Sequence, residues 1–127
     1  MIDVSYTILY VKDQQASAKF YSNVLSKEPR LNVPGMTEFD MAEKSVLGLM
    51  PEVGIKRLLG EKLPDPSQAN GIPRAEIYLM VDKPQEYFER AIKNGASELS
   101  KLEKRNWGHH AAYCLDPDGH VLAFAKE

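Results

Sequence analysis

Cysteine is nearly absent: Cys114 is the only one in 127 residues, so no internal disulfide can form and a reducing, cytoplasmic setting is expected. Neither sign of charge dominates. Lys and Arg number 16 against 18 Asp and Glu, giving a net charge of −2, and no basic run occurs. That balance excludes nucleic acid or an anionic membrane surface as the main partner. Long apolar runs are missing too; the longest are strand-sized, so no membrane span is expected. The start, MIDVSYTILYV, carries an acid and no basic region or cleavage pattern, so it does not read as a signal peptide.

What is present is a repeated pattern. TILYV (7–11) and IYLMV (77–81) are apolar runs rich in β-branched and aromatic residues, 70 positions apart, and both read as strands. Each leads through a polar turn into a helix-period segment. Asp13 is placed to cap the first helix, with Ala16, Phe20, Val24 and Leu25 as its buried stripe. Pro84 opens the second, Tyr87, Phe88, Ala91 and Ile92 form its stripe, and Asn94-Gly95 stops it. Strands are then expected near 29–33, at 37–41 and 45–50, and at 98–103, 108–115 and 120–125. Asp116-Pro117-Asp118-Gly119 makes a tight reversal before the last. The fold class is therefore α+β, two tandem βαβββ modules at about 1–52 and 73–127. Residues 53–72 read as a linker or surface loop, with a helical turn in VGIKRLLG.

The order of these pieces (ILYVKD…FYSNVL, then IYLMVDKPQEYFERAIKNGA, then W-G-…-DPDGH-…-F) resembles the vicinal oxygen chelate superfamily. Glyoxalase I, bleomycin-resistance proteins, fosfomycin-resistance enzymes and extradiol dioxygenases belong to it. The resemblance implies an open, curved, eight-stranded sheet around a cleft, with four cleft positions that hold a divalent metal in many members. Those positions fall here at Tyr6, Gly48, Glu76 and Ala123. Gly48 and Ala123 have no donor atom and a neutral tyrosine is a poor ligand, so no metal and no cofactor are expected.

The stretch Trp107–Glu127 holds all three histidines and the cysteine. Adjacent strand residues point to opposite faces, so His109 and His110 cannot enter one site. His109 shares a face with Tyr113, and His110 with Cys114. The histidines read as surface or capping groups, His120 as packing on or bonding the DPDG turn, Cys114 as a small buried residue, and Asp116 and Asp118 as turn formers. No catalytic residue is assigned.

Alternation places Tyr6, Ile8 and Tyr10 on one face with Val46, Gly48 and Met50, and Tyr78 and Met80 with Glu76 and with Val121, Ala123 and Ala125. The ligand-binding set is thus Tyr6, Tyr10, Gly48, Met50, Glu76, Tyr78, Met80, Trp107, Tyr113 and Ala123, with Gly48 and Ala123 leaving room and Trp107 near the rim. Aromatic faces, adaptable methionines and one acid suit a flat or cationic organic molecule. The expected function is metal-free binding or sequestration, as in bleomycin-resistance proteins. A divalent-metal lyase or isomerase of the glyoxalase type is the alternative, with Glu76 as base. A homodimer is expected, since an open sheet edge and an exposed apolar face invite pairing.

Overall fold

Asp13 starts the first helix as its sequence position suggests: its side chain accepts a hydrogen bond from the Ala16 amide at 3.0 Å, a cap worth about 1 kcal/mol. The structure, a computed structural model, describes residues 1–127. Its chain runs β1 (Ser5–Val11), α1 (Gln14–Leu25), β2 (Leu31–Val33), β3 (Met36–Asp40), β4 (Ser45–Pro51) and α2 (Glu52–Leu59). It continues through β5 (Glu76–Met80), α3 (Pro84–Lys93), β6 (Ser97–Lys104), β7 (His110–Leu115) and β8 (Val121–Lys126). Two compact units result: Met1–Ser22 with Ser26–Gln68, and Asn23–Leu25 with Ala69–Glu127.

The first unit holds a four-stranded sheet in the order β1-β4-β3-β2, with β1 and β4 parallel and the other pairs antiparallel. On one face Leu9, Val11, Leu47, Leu49, Thr37 and Phe39 are buried. Helix α1 is tied to that side by Gln14, whose amide donates to Thr37 Oγ1 at 2.9 Å and to the Val33 carbonyl at 2.8 Å. The buried stripe of α1 differs from the expected one at its start. Ala16 is exposed, whereas Ser17, Ala18, Phe20 and Tyr21 are buried. A 100° step per residue allows two adjacent stripes, and only the sheet decides which one turns inward.

Residues read as linker are more ordered than expected. VGIKRLL belongs to α2, a helix of 8 residues with Ile55 buried, and short 3₁₀ turns follow at Gly60–Lys62 and Pro66–Ala69.

The second unit repeats the sheet as β5-β8-β7-β6, again with its first two strands parallel. Helix α3 buries Pro84, Phe88 and Ala91, and the Tyr87 ring lies 5.6 Å from that of Phe124. Leu122, Phe124, Ala112 and Cys114 are fully covered. Asn23–Leu25 join this unit through Arg90, whose guanidinium donates to the Val24 carbonyl at 3.0 and 3.1 Å.

The DPDG turn is built on Asp116. Its buried carboxylate accepts from the amides of Asp118 and His120, each at 2.9 Å, and its second oxygen lies 2.9 Å from His120 Nδ1. Asp116 is thus a turn former and His120 bonds the turn, as the sequence suggests. Gly119 has φ +91°, and a Cβ there would lie 2.3 Å from the Gly71 carbonyl oxygen. No other residue type fits that approach without movement. Cys114 is fully buried, its thiol 3.6 Å from the Leu122 carbonyl. Burial, and then the charge of Asp116, push its pKa up to about 12. It is no nucleophile at neutral pH.

Candidate functional site

Register fixes which side chains share a surface. In the first unit Tyr6, Ile8 and Tyr10 stand opposite Val46, Gly48 and Met50, with Asp40 and Glu38 next in line. Tyr6, Ile8 and Tyr10 are all substantially exposed, Tyr6 by 47%. Tyr6 is not free, however. Arg30 Nη2 donates to its hydroxyl at 2.7 Å, and the guanidinium carbon lies 5.5 Å from the ring centre. The same guanidinium pairs with Glu38 at 2.8 Å and with Asp40 at 3.2 Å. Sequence spacing does not reveal this four-residue network: a strand was expected near 29–33, but β2 begins only at Leu31, so alternation does not fix where Arg30 points.

Gly48 leaves no hollow. A Cβ there would meet Ile8 Cγ1 at 3.0 Å and Met36 Sδ at 3.3 Å, so neighbouring side chains already fill the space above it. Ala123 is likewise fully covered. The expectation that these two small residues leave room fails for one reason: a small residue in a sheet is overlapped by the larger side chains of adjoining strands.

In the second unit Tyr78, Ala123 and Tyr113 form one cross-strand row, flanked by Glu76 with Val121 and Leu115, and by Met80 with Ala125 and Ala111. The Tyr78 hydroxyl accepts from the Trp107 indole at 3.1 Å and sits 2.8 Å from His109 Nδ1. An indole only donates. The Tyr78 oxygen therefore accepts from Trp107, and its own proton is available to His109. Trp107 remains 53% exposed and Met80 50%. His109 is thus a partner of Tyr78 rather than an idle surface group, and spacing does not reveal this because it depends on the loop between β6 and β7.

That loop is set by Arg105. Register slips occur twice between Glu98 and Glu103, which strands backbone carbonyls that a regular ladder would satisfy. Arg105 donates to the Ala111 carbonyl at 2.7 and 3.1 Å, to the Lys101 carbonyl at 2.9 Å, to Ser100 Oγ at 2.8 Å and to Glu103 at 2.8 Å. Its amide donates to the His109 carbonyl at 2.7 Å, closing the turn that carries Trp107. The guanidinium also lies 5.2 Å from the Tyr113 ring centre. Burial, with the charge of Glu76 next, raises the Tyr113 hydroxyl above its ordinary pKa. Glu76 itself is exposed and accepts no tyrosine hydroxyl.

Two βαβββ units, each with one parallel edge pair and antiparallel pairing across the rest of its sheet, define the vicinal oxygen chelate class of fold. The sequence agrees. A family model described as the Glyoxalase/Bleomycin resistance protein/Dioxygenase superfamily matches residues 3–124, and the chain belongs to that superfamily. Its fold is similar to that of a glyoxalase-related enzyme from Fulvimarina pelagi, with a TM-score of 0.84 and 21% identity over 100% of this chain and 89% of that one. A glyoxalase/bleomycin resistance protein/dioxygenase family enzyme from Burkholderia phytofirmans PsJN gives 0.75 and 19% over 98% of both. A protein of Agrobacterium tumefaciens gives 0.76 and 26% over 99% and 98%. No curated protein sequence matches the chain significantly.

Many members of this superfamily hold a divalent ion, so its fit can be tested on donors. Of the four corresponding positions, Gly48 and Ala123 offer none, and the Tyr6 hydroxyl is engaged by Arg30. No three His, Cys, Asp or Glu side chains gather anywhere in the chain. Glu76 alone remains, and one carboxylate does not hold a divalent ion against water. The residues do not fit the metal.

Proposed function

We propose that the protein binds a small aromatic or cationic organic molecule without a metal and acts by sequestering it. The observation that carries this reading is the surface formed by Glu76, Tyr78, Met80, Trp107 and Tyr113. There, aromatic rings in the middle of the surface stand between a flexible thioether at one end of β5 and, at the other, a carboxylate that has no cationic partner. Such a surface attracts a planar cation through ring faces and through charge, each contributing on the order of 1 kcal/mol. Tyr6, Tyr10 and Met50 supply a second aromatic and thioether surface on the first unit, usable by the same class of ligand. Backbone order around Arg105 favours binding, since a fixed Trp107 loses little freedom when a ligand stacks on it. A homodimer and a cytoplasmic setting belong to the same proposal; light scattering during size-exclusion chromatography tests the first.

Trp107 is the only tryptophan, so its fluorescence reports this surface alone. Titration with a phenanthridinium dye is expected to quench it saturably, and Glu76→Gln is expected to weaken binding several-fold. Quenching that never saturates, or that is indifferent to both Glu76→Gln and added neutral aromatics, refutes the reading. Elemental analysis of the purified protein provides the opposing arm. Stoichiometric zinc, nickel, manganese or iron would transfer the case to a glyoxalase-type lyase.

A further inference from the structure

The far end of the second sheet carries a feature that the ligand surface does not use. Lys104 on β6 and Lys126 on β8 are both register partners of His110 on β7. Directly opposed residues project from the same face, so the three side chains form one basic row across three strands. Two lysine charges thus flank one imidazole. Neither lysine has an ion pair, and the nearby acids do not relieve the row: Glu86 pairs with Lys83 and Glu103 with Arg105. Asp82 and Glu127, the remaining acids close in sequence, pair with nothing.

His110 makes the row specific. Its Nδ1 is buried and has no hydrogen-bond partner. A buried N–H without an acceptor is the more costly orphan, and a bare lone pair the lesser one. The tautomer is therefore the one with its proton on Nε2, which is not buried. The imidazole then offers an N–H donor on the middle strand of a row whose two lysine-bearing strands lie about 10 Å apart. Lysine side chains reach about 6 Å, so both can converge on one ion seated over His110.

We propose that Lys104, His110 and Lys126 form a binding site for a phosphate-class oxyanion, either a soluble phosphomonoester or a phosphomonoester headgroup. One neutral donor and two point charges match the several acceptor oxygens of such a group. The site lies on the sheet face that also carries Ala112 and Cys114, opposite to Tyr78 and Tyr113, so it is independent of the proposed function.

The test is a titration of the whole protein with inorganic phosphate, followed by the imidazole and amide resonances of His110, at fixed ionic strength balanced with chloride. Saturable shifts confined to residues around 104, 110 and 126 are expected. Lys104→Gln and Lys126→Gln should each weaken binding roughly three- to tenfold, the loss of one screened charge contact, and Lys93→Gln should leave it unchanged. Sedimentation with phosphatidate-containing vesicles, against phosphatidylcholine alone, separates the sources. Binding to vesicles only, with the same lysine dependence, assigns the headgroup. Shifts that do not saturate with phosphate and no vesicle binding, or binding indifferent to both lysine substitutions, overturn the site.

Discussion

Replacing Gly119 by alanine probes whether the DPDG turn depends on its approach to Gly71. Two separate penalties follow from the structure. Positive φ, here +91°, costs an L-residue about 1–2 kcal/mol. The added Cβ would also lie 2.3 Å from the Gly71 oxygen and 2.8 Å from its carbon. Relief requires a backbone shift of about 1 Å, an overpacking penalty of about 1–3 kcal/mol. Gly95 supplies the control: its φ is +105°, but a Cβ there meets nothing within 4 Å. Gly95→Ala should therefore show only the first penalty. At the usual unfolding entropy per residue, a loss of about 3 kcal/mol in a chain this size lowers Tm by roughly 10 °C. Thermal melts by circular dichroism on the three proteins measure the difference. If Gly119→Ala melts no lower than Gly95→Ala, the contact with Gly71 is not holding the turn and the reasoning fails.

Cys114 should resist iodoacetamide at pH 8 in the folded protein and react once denatured. Because its folded pKa of about 12 lies above the unfolded value, the unfolded state loses this proton first; stability should fall by about 1.4 kcal/mol per pH unit from about pH 9 upward, seen as a falling denaturation midpoint. Arg105→Lys keeps the charge but cannot reach two carbonyls and a hydroxyl at once. It should lower stability by about 2–4 kcal/mol and shift Trp107 emission to the red; an unchanged spectrum would show that Arg105 does not set the Trp107 turn. Tyr78→Phe removes the acceptor of the Trp107 indole and should cost about 1 kcal/mol while making Trp107 easier to quench with acrylamide. Absorbance at 295 nm during alkaline titration should show a component ionising above the ordinary tyrosine range that Tyr113→Phe removes.

Much of the strand pattern was legible because alternation has a period of two and leaves little choice of face. Leu9, Val11, Leu47, Leu49, Leu122 and Phe124 fall inward, and Tyr6, Tyr10, Tyr78 and Met80 fall on the other side, as their positions require. Helix α1 was less legible, since Ala16 and Ser17 satisfy neighbouring stripes and the buried one is chosen by the sheet. The partnerships of Tyr6 with Arg30, and of Tyr78 with Trp107 and His109, were hidden for a different reason. They join residues separated by 24, 29 and 31 positions, through loops whose paths no local rule specifies.

The sequence by itself determined the tandem strand–helix–strand order, the Asp13 cap of α1, the Asn94-Gly95 stop of α3, and the lack of donors at Gly48 and Ala123, because these depend on local periodicity and on which atoms a side chain owns. Tertiary structure decided which surfaces are filled and which side chains are already bonded. Those outcomes depend on distances between strands, and only packing sets such distances.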